Sequence, residues 1–201
     1  MSMVLELLAA TGNAHKVDEM RAILAPAGVR LLSARDVGGL PEVDEDGATF
    51  RENAIKKACA IAAATGRRVI ADDSGLEVAA LDGAPGVRSA RYAGAGGNDG
   101  RNVAKLLAAL DGRSDRRARF VCVVAVAGPE GLVGTAEGEV RGRIGDQPRG
   151  QGGFGYDPVF IPDGYEQTFA ELPAEVKNAM SHRGRALAAA LAQGLLAAQA
   201  G

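Results

Sequence analysis

The chain has 201 residues, with 23 Lys and Arg against 25 Asp and Glu for a formal charge of −2. That length suits one large domain, and a balance so near neutrality excludes a strongly basic nucleic-acid binder. At 47% hydrophobic and 24% charged residues, the composition is that of a packed protein rather than a disordered chain.

The opening residues, MSMVLELLAATGN, lack the basic region and the long apolar run of a signal peptide. The Ala-rich C-terminal stretch is shorter than the ~20 residues a membrane span needs. A cytoplasmic protein with no membrane and no nucleic-acid partner is expected. Apolar residues 3–10 read as a strand that delivers the chain to Thr11-Gly12-Asn13. Val17, Met20, Ile23 and Leu24 then recur at helical spacing over 15–25, and Pro26 and Gly28 stop that helix. A short strand, VRLLSA, leads to an acidic loop holding Glu42, Asp44, Glu45 and Asp46. Thr49 and Glu52 form a capping box that opens a helix to about residue 65, where Gly66 ends it. RRVIADDSG follows as a buried strand whose apolar residues stop at Asp72-Asp73 and a Ser74-Gly75 pair that permits a turn. Alternation of this kind is the mark of an α/β layer.

The middle of the chain differs. GLEVAALDG, VRSARYAG, RARFVCVVAVAG and LVGTAEGEVRGRI read as strands with hairpin-type connections around one helix at NVAKLLAALDG. The last third holds a glycine-rich loop, PRGQGGFGYDP, then short strands, a helix near AEVKNAM and a closing helix from about Arg183 to Gln199. No repeat or linker separates independent domains, so residues 1–201 read as a single domain. Cys59 and Cys122 lie in apolar stretches and read as reduced core residues, with no Cys/His cluster for zinc.

Several of these segments could carry chemistry. Thr11 to Lys16 sits where a strand turns into a helix, and a helix N-terminus offers N–H groups and a positive dipole end. Gly12 would let the backbone approach an anion and Lys16 would add a point charge, although an ordinary capped helix explains the same residues. Asp72 and Asp73 end a buried strand, where two adjacent carboxylates call for a hard divalent cation. Adjacent strand side chains point to opposite faces, so both serve one cation only if the chain turns at Ser74-Gly75; a surface Asp-Asp turn is the alternative. Glu45 and its acidic neighbours gain meaning only if the sheet brings them beside Asp73, where a third carboxylate would complete a magnesium site. Gly150 to Gly155 formally matches G-x-G-x-x-G, but neither a preceding strand nor a following helix is present. The loop reads instead as exposing Phe154 and Tyr156 to stack on a flat ligand, or as a tight turn with Phe154 in the core. In the segment Lys177 to Arg183, residues 179, 182 and 183 share a helix face unless Ser181 interrupts it. Lys177, His182 and Arg183 would suit an acceptor-rich ligand, while a structural histidine is the plainer reading.

Taken in order, T-G-N-x-x-K (11–16), E-D-G-x-T-F-x-E-N-A (45–54), A-D-D-S-G-L (71–76), G-A-P-G-V-x-S-A-R-Y (83–92), G-G-F-G-Y-D-P-V-F (152–160) and S-H-R-G-x-A-L (181–187) resemble the inosine/xanthosine triphosphate pyrophosphatase family, along nearly the whole chain. The resemblance implies an α/β fold with an elongated central mixed β-sheet flanked by helices, and two lobes around a long cleft. It implies a homodimer that hydrolyses dITP, ITP and XTP to the monophosphate and pyrophosphate with Mg²⁺. In that reading Asp73 binds metal and accepts the proton from the attacking water, and Glu45, with Asp72 nearby, is a metal ligand or its support. Thr11, Gly12, Asn13, Lys16, Lys57 and Ser74 would hold the triphosphate. Phe154, Gly155, Tyr156 and Asp157, with Lys177, His182 and Arg183, would enclose the base. Two rivals share parts of this pattern: an enzyme of modified pyrimidine nucleotides resembling the septum-inhibitor family, and a nucleotide sensor without turnover. SHRGRAL and GGFGYDP speak against the first, and Glu45 with Asp72 and Asp73 against the second.

Overall fold

A computed structural model describes residues 5–197. Residues 3–4 of the expected opening strand and 198–199 of the expected closing helix lie outside the described residues. Within them the closing helix ends early, at Ala192, shortly before Gly194 with its left-handed φ of 69°. Strand β1 (Leu5–Ala9) runs parallel to β2 (Val29–Leu32) and to β3 (Val69–Val78). Helix α1 (Ala14–Leu24) connects the first pair and buries Val17, Met20 and Leu24. Helix α2 (Phe50–Thr65) begins with the Thr49–Glu52 capping box formed in both directions and ends at Gly66, whose φ of 65° is left-handed. Parallel neighbours joined through helices are the α/β layer that the sequence forecasts.

Two expectations fail beyond this point. The turn at Ser74-Gly75 does not form, and β3 continues through it to Val78. VRSARYAG is not a strand either: Gly86–Arg91 is a 3-10 stretch. Ser89 explains the second failure, since its buried hydroxyl accepts the Leu76 N–H at 2.9 Å and donates to the Gly86 carbonyl at 2.6 Å. Side-chain bonds of this kind compete with a strand ladder for the backbone.

Helix α3 (Asp99–Ala109), β4 (Arg117–Gly128) and β5 (Gly131–Ile144) follow as expected. Only Pro129 and Glu130 separate β4 from β5, the length of a hairpin turn. The short β6 (Phe160–Pro162) pairs antiparallel with β5, and the mixed sheet has the order β2-β1-β3-β4-β5-β6. Ser181, extended at φ −65° and ψ 160°, separates α4 (Ala174–Met180) from α5 (His182–Ala192).

The chain divides into two compact units. The first, residues up to 73, 122–138 and from 183, has an aliphatic core in which Leu7, Met20, Leu24, Ile70, Val124 and Leu187 are buried. The second, residues 74–121 and 139–182, gathers the scarce aromatics: Phe120 meets Phe160 edge to face at 4.8 Å, and Phe169 lies against Phe160 at 5.1 Å. Both cysteines are free thiols, Cys122 buried and Cys59 half-buried. Among the described residues no helix is long and apolar enough to cross a membrane.

Candidate active site

In the first unit, β1 hands the chain to α1 through Thr11-Gly12-Asn13. The Asn13 side-chain oxygen accepts the His15 and Lys16 N–H groups, and the Thr11 hydroxyl accepts the Asn13 N–H at 3.1 Å. Asn13 therefore acts as an ordinary N-cap. Gly12 is not demanded by the fold, because a Cβ there would meet nothing within 4 Å and its φ is not left-handed. Lys16, one turn on, reaches the Asp72 carboxylate at 3.0 Å.

Because β3 stays extended, Asp72 and Asp73 point to opposite faces, and the expectation that both serve one cation is corrected. The Asp72 side chain has no exposed surface and is embraced by cations. Arg183 Nη2 reaches it at 3.0 Å, and Arg183 Nη1 bonds Glu19 on its other side. Burial opposes ionisation of Asp72, but Lys16, Arg183 and Lys57 outweigh it and hold the carboxyl far below the usual carboxylate range. Arg183 is itself 1% exposed and belongs to this ion-pair group.

Asp73 has different company. Asn53 Nδ2 donates to its Oδ2 at 2.9 Å, and the Asn53 oxygen is in turn fixed by the Gly47 N–H at 2.8 Å. Gly47 is required there, since a Cβ would lie 2.6 Å from that oxygen. Burial raises the Asp73 carboxyl above its ordinary value, only partly offset by Lys57 and Asn53, and Glu45 raises it further. Lys57, one helical turn after Asn53 on α2, bonds Glu45 at 2.6 Å and the Asp72 carbonyl at 2.7 Å. Burial works against its ammonium, yet Asp72, Glu45 and Asp73 raise it above the usual lysine range. Thr11, Gly12, Glu42, Glu45 and Lys57 line one cavity of about 370 Å³. A larger one, about 430 Å³, lies in the second unit beside Glu77, Arg119 and Arg141, and none of the residues expected to bind metal or substrate lines it.

The donor set fits a hard cation only in part. Among the described residues no group of three His, Cys, Asp or Glu comes together, so the expected three-carboxylate site is not present. Glu45 and Asp73 remain, close enough to repel one another and bridged electrostatically by Lys57. Two carboxylates suffice for Mg²⁺, which commonly keeps waters and takes phosphate oxygens.

In the second unit the glycine-rich loop is built around Asp157. Its Oδ2 accepts the Phe154 N–H at 2.9 Å and binds Lys177 Nζ at 2.5 Å, and a Cβ on Gly153 would sit 2.0 Å from it. Lys177 also lies 5.3 Å from the half-buried Phe154 ring. Tyr156 does not join an exposed platform: it is 4% exposed and its hydroxyl donates to the Ser89 carbonyl. His182 stacks on Phe120 at 4.6 Å and 11°. Ser74 is half-buried within β3. Three residues that the sequence reading gave no role make contacts here: Asn53, Glu19, and Asp99, whose carboxylate accepts the Gly155 N–H. Asn53 leaves a signal, because it lies four positions before Lys57 on one face of α2, whereas the partners of Glu19 and Asp99 are remote in sequence.

Residues 7–193 match the Ham1 family. The chain is 52% identical over 189 residues to the dITP/XTP pyrophosphatase of Desulforamulus reducens, covering 93% of this chain and 94% of that one. It is 53% identical over 184 residues to the dITP/XTP pyrophosphatase of Geobacter sulfurreducens, covering 90% and 92%. Among solved structures, a HAM1 protein from Coxiella burnetii matches with a TM-score of 0.85 at 41% identity, over 96% of this chain and 100% of that one.

Proposed function

This chain belongs to the Ham1 family, and from that premise we propose that it hydrolyses the non-standard purine nucleoside triphosphates dITP, ITP and XTP to the monophosphate and pyrophosphate. The observation that carries the reading is the Lys57 ammonium bonded to Glu45 and held beside Asp73, in the wall of a cavity that also includes Thr11 and Gly12.

Lys16 and Lys57 hold the triphosphate by charge, with Thr11, Asn13 and Ser74 as its polar neighbours. Gly12 leaves its backbone open to a phosphate oxygen, the close approach that a side chain would obstruct. A water attacks the α-phosphorus: its oxygen forms the new P–O bond, the bond to the bridging oxygen of pyrophosphate breaks, and Asp73 takes the proton. A carboxyl raised by burial is the better proton acceptor for that step. Glu45 and Asp73 are the residues that would hold Mg²⁺, which when bound neutralises phosphate charge and stabilises the departing pyrophosphate. Asp72 stays with Lys16 and Arg183 as the fixed counter-charge that orients both cations.

For the base we assign Phe154, Gly155, Tyr156, Asp157, Lys177 and His182, together with Arg183, whose guanidinium is oriented by Asp72 and Glu19. Hypoxanthine and xanthine offer an oxygen at C6 where adenine offers an amino group. Donors aimed at that oxygen are left unpaired by adenine, which gives selectivity. The proposal includes a cytoplasmic homodimer. It is tested by incubating the protein with dITP, ITP, XTP and ATP in Mg²⁺ and assaying products. Pyrophosphate from the first three, lost in excess chelator, is the expected result; stepwise orthophosphate release or undiminished turnover in chelator overturns it.

A further inference from the structure

Asp99 carries no role in the reading above, and its surroundings are not those of a simple first-turn acid. Asn98 already caps α3, its side-chain oxygen accepting the Arg101 N–H at 2.8 Å. The Asp99 carboxylate instead accepts the Gly155 N–H at 2.7 Å, 56 positions along the chain. Gly155 has φ 63°, a left-handed conformation that L side chains rarely adopt, and it sits between the two aromatic residues of the loop. Three successive residues are thereby tied at three points. Phe154 N–H is bonded by Asp157, Gly155 N–H by Asp99, and the Tyr156 hydroxyl by the Ser89 carbonyl. Asp157 belongs to the loop itself and Ser89 contributes only backbone. Asp99 brings a charged side chain from another element to the loop backbone, and a charge-assisted bond is the stronger kind.

We propose that Asp99 is a positioning residue for nucleotide binding: by holding the Gly155 N–H, it sets the face that Phe154 presents to the purine ring. This rests on the reading of residues 154–157 as the base-binding segment. Asp99→Ala raises KM for dITP about 3- to 15-fold and leaves kcat within about twofold, the modest effect of one exposed hydrogen bond. Asp99→Asn keeps an oxygen acceptor and returns most of the affinity. Both variants remove the same charge from the first turn of α3, so an effect on the helix is common to the two and does not separate them. Inhibition by inorganic tripolyphosphate, which has no base, is unchanged in either. Equal KM values for the Ala and Asn variants, or a tripolyphosphate inhibition constant that rises with KM, overturn the proposal. Phe154→Ala in the same assay tests the reading beneath it. An unchanged KM there removes both the base assignment and the role of Asp99. A raised KM for Phe154→Ala beside an unchanged one for Asp99→Ala removes the positioning role alone.

Discussion

The two units bury charge in different ways. In the first, ionised groups form an extended network: Glu19 to Arg183, Arg183 to Asp72, Asp72 to Lys16, and Lys57 between Glu45 and the Asp72 carbonyl. In the second, Asp157 and Lys177 form a tight pair, and the carboxylate is spent on the backbone of its own loop. A network with several cations can exchange carboxylate partners for phosphate oxygens when a polyanion arrives, while a closed pair fixes a shape. Changes in the first unit should therefore fall on chemistry and on folding, and changes in the second on affinity for the nucleotide.

The sharpest break of that contrast is Asp73→Asn. It preserves shape and the Asn53 contact but removes the proton acceptor, so kcat falls by about 10²–10⁴-fold while circular dichroism stays native. Near-normal turnover by the folded variant would move the base role elsewhere. Asp72→Asn is expected to act mainly on stability, since it strips the buried Arg183 and the half-buried Lys16 of their shared counter-charge. A loss of about 3–5 kcal/mol in urea unfolding is the expected size. Lys177→Met should be milder, about 3 kcal/mol at the lower end of the same range, because Asp157 retains the Phe154 N–H. It should also raise KM for dITP more than it lowers kcat, whereas the reverse split would erase the distinction between the units. The smallest effect is a chemical one. Burial, and then the neighbouring Asp72, push the Cys122 thiol up to about 12. Iodoacetamide at pH 8 should therefore leave Cys122 intact in the native protein and modify it in urea, as mass spectrometry of the peptide would record. The same shift contributes stability that is complete below the unfolded thiol's pKa of about 8.5 and is lost as pH rises from there toward 12.

Local rules served the sequence reading well where structure is local. The Thr49–Glu52 box, the Gly66 stop and the Val17, Met20, Leu24 face of α1 depend on residues within a turn or two of each other. The fate of Asp72 does not. A polar Asp-Asp-Ser-Gly run reads as the end of a strand, but Arg183, 111 positions away, makes burial of that carboxylate tolerable, and so the strand continues. Tyr156 departs from its expected exposure for a similar reason, because the acceptor that lets its ring enter the core is the carbonyl of Ser89, 67 positions earlier. Gly12 and Lys16, by contrast, stand where the motif sets them, since a strand–turn–helix junction is itself a local object.

The unbroken course of β3 has one more consequence. Which side of the sheet each aspartate serves is decided by parity alone, because consecutive residues alternate faces. Inserting or deleting a single residue upstream within the strand would turn Asp73 to the face of Arg183 and Lys16, and Asp72 to the face of Asn53. A two-residue change would keep the faces and shift only the position along them. The neighbouring carboxylates are alike in chemistry and cannot be exchanged, so the spacing counted from Val69 is as much a part of the active site as the side chains are.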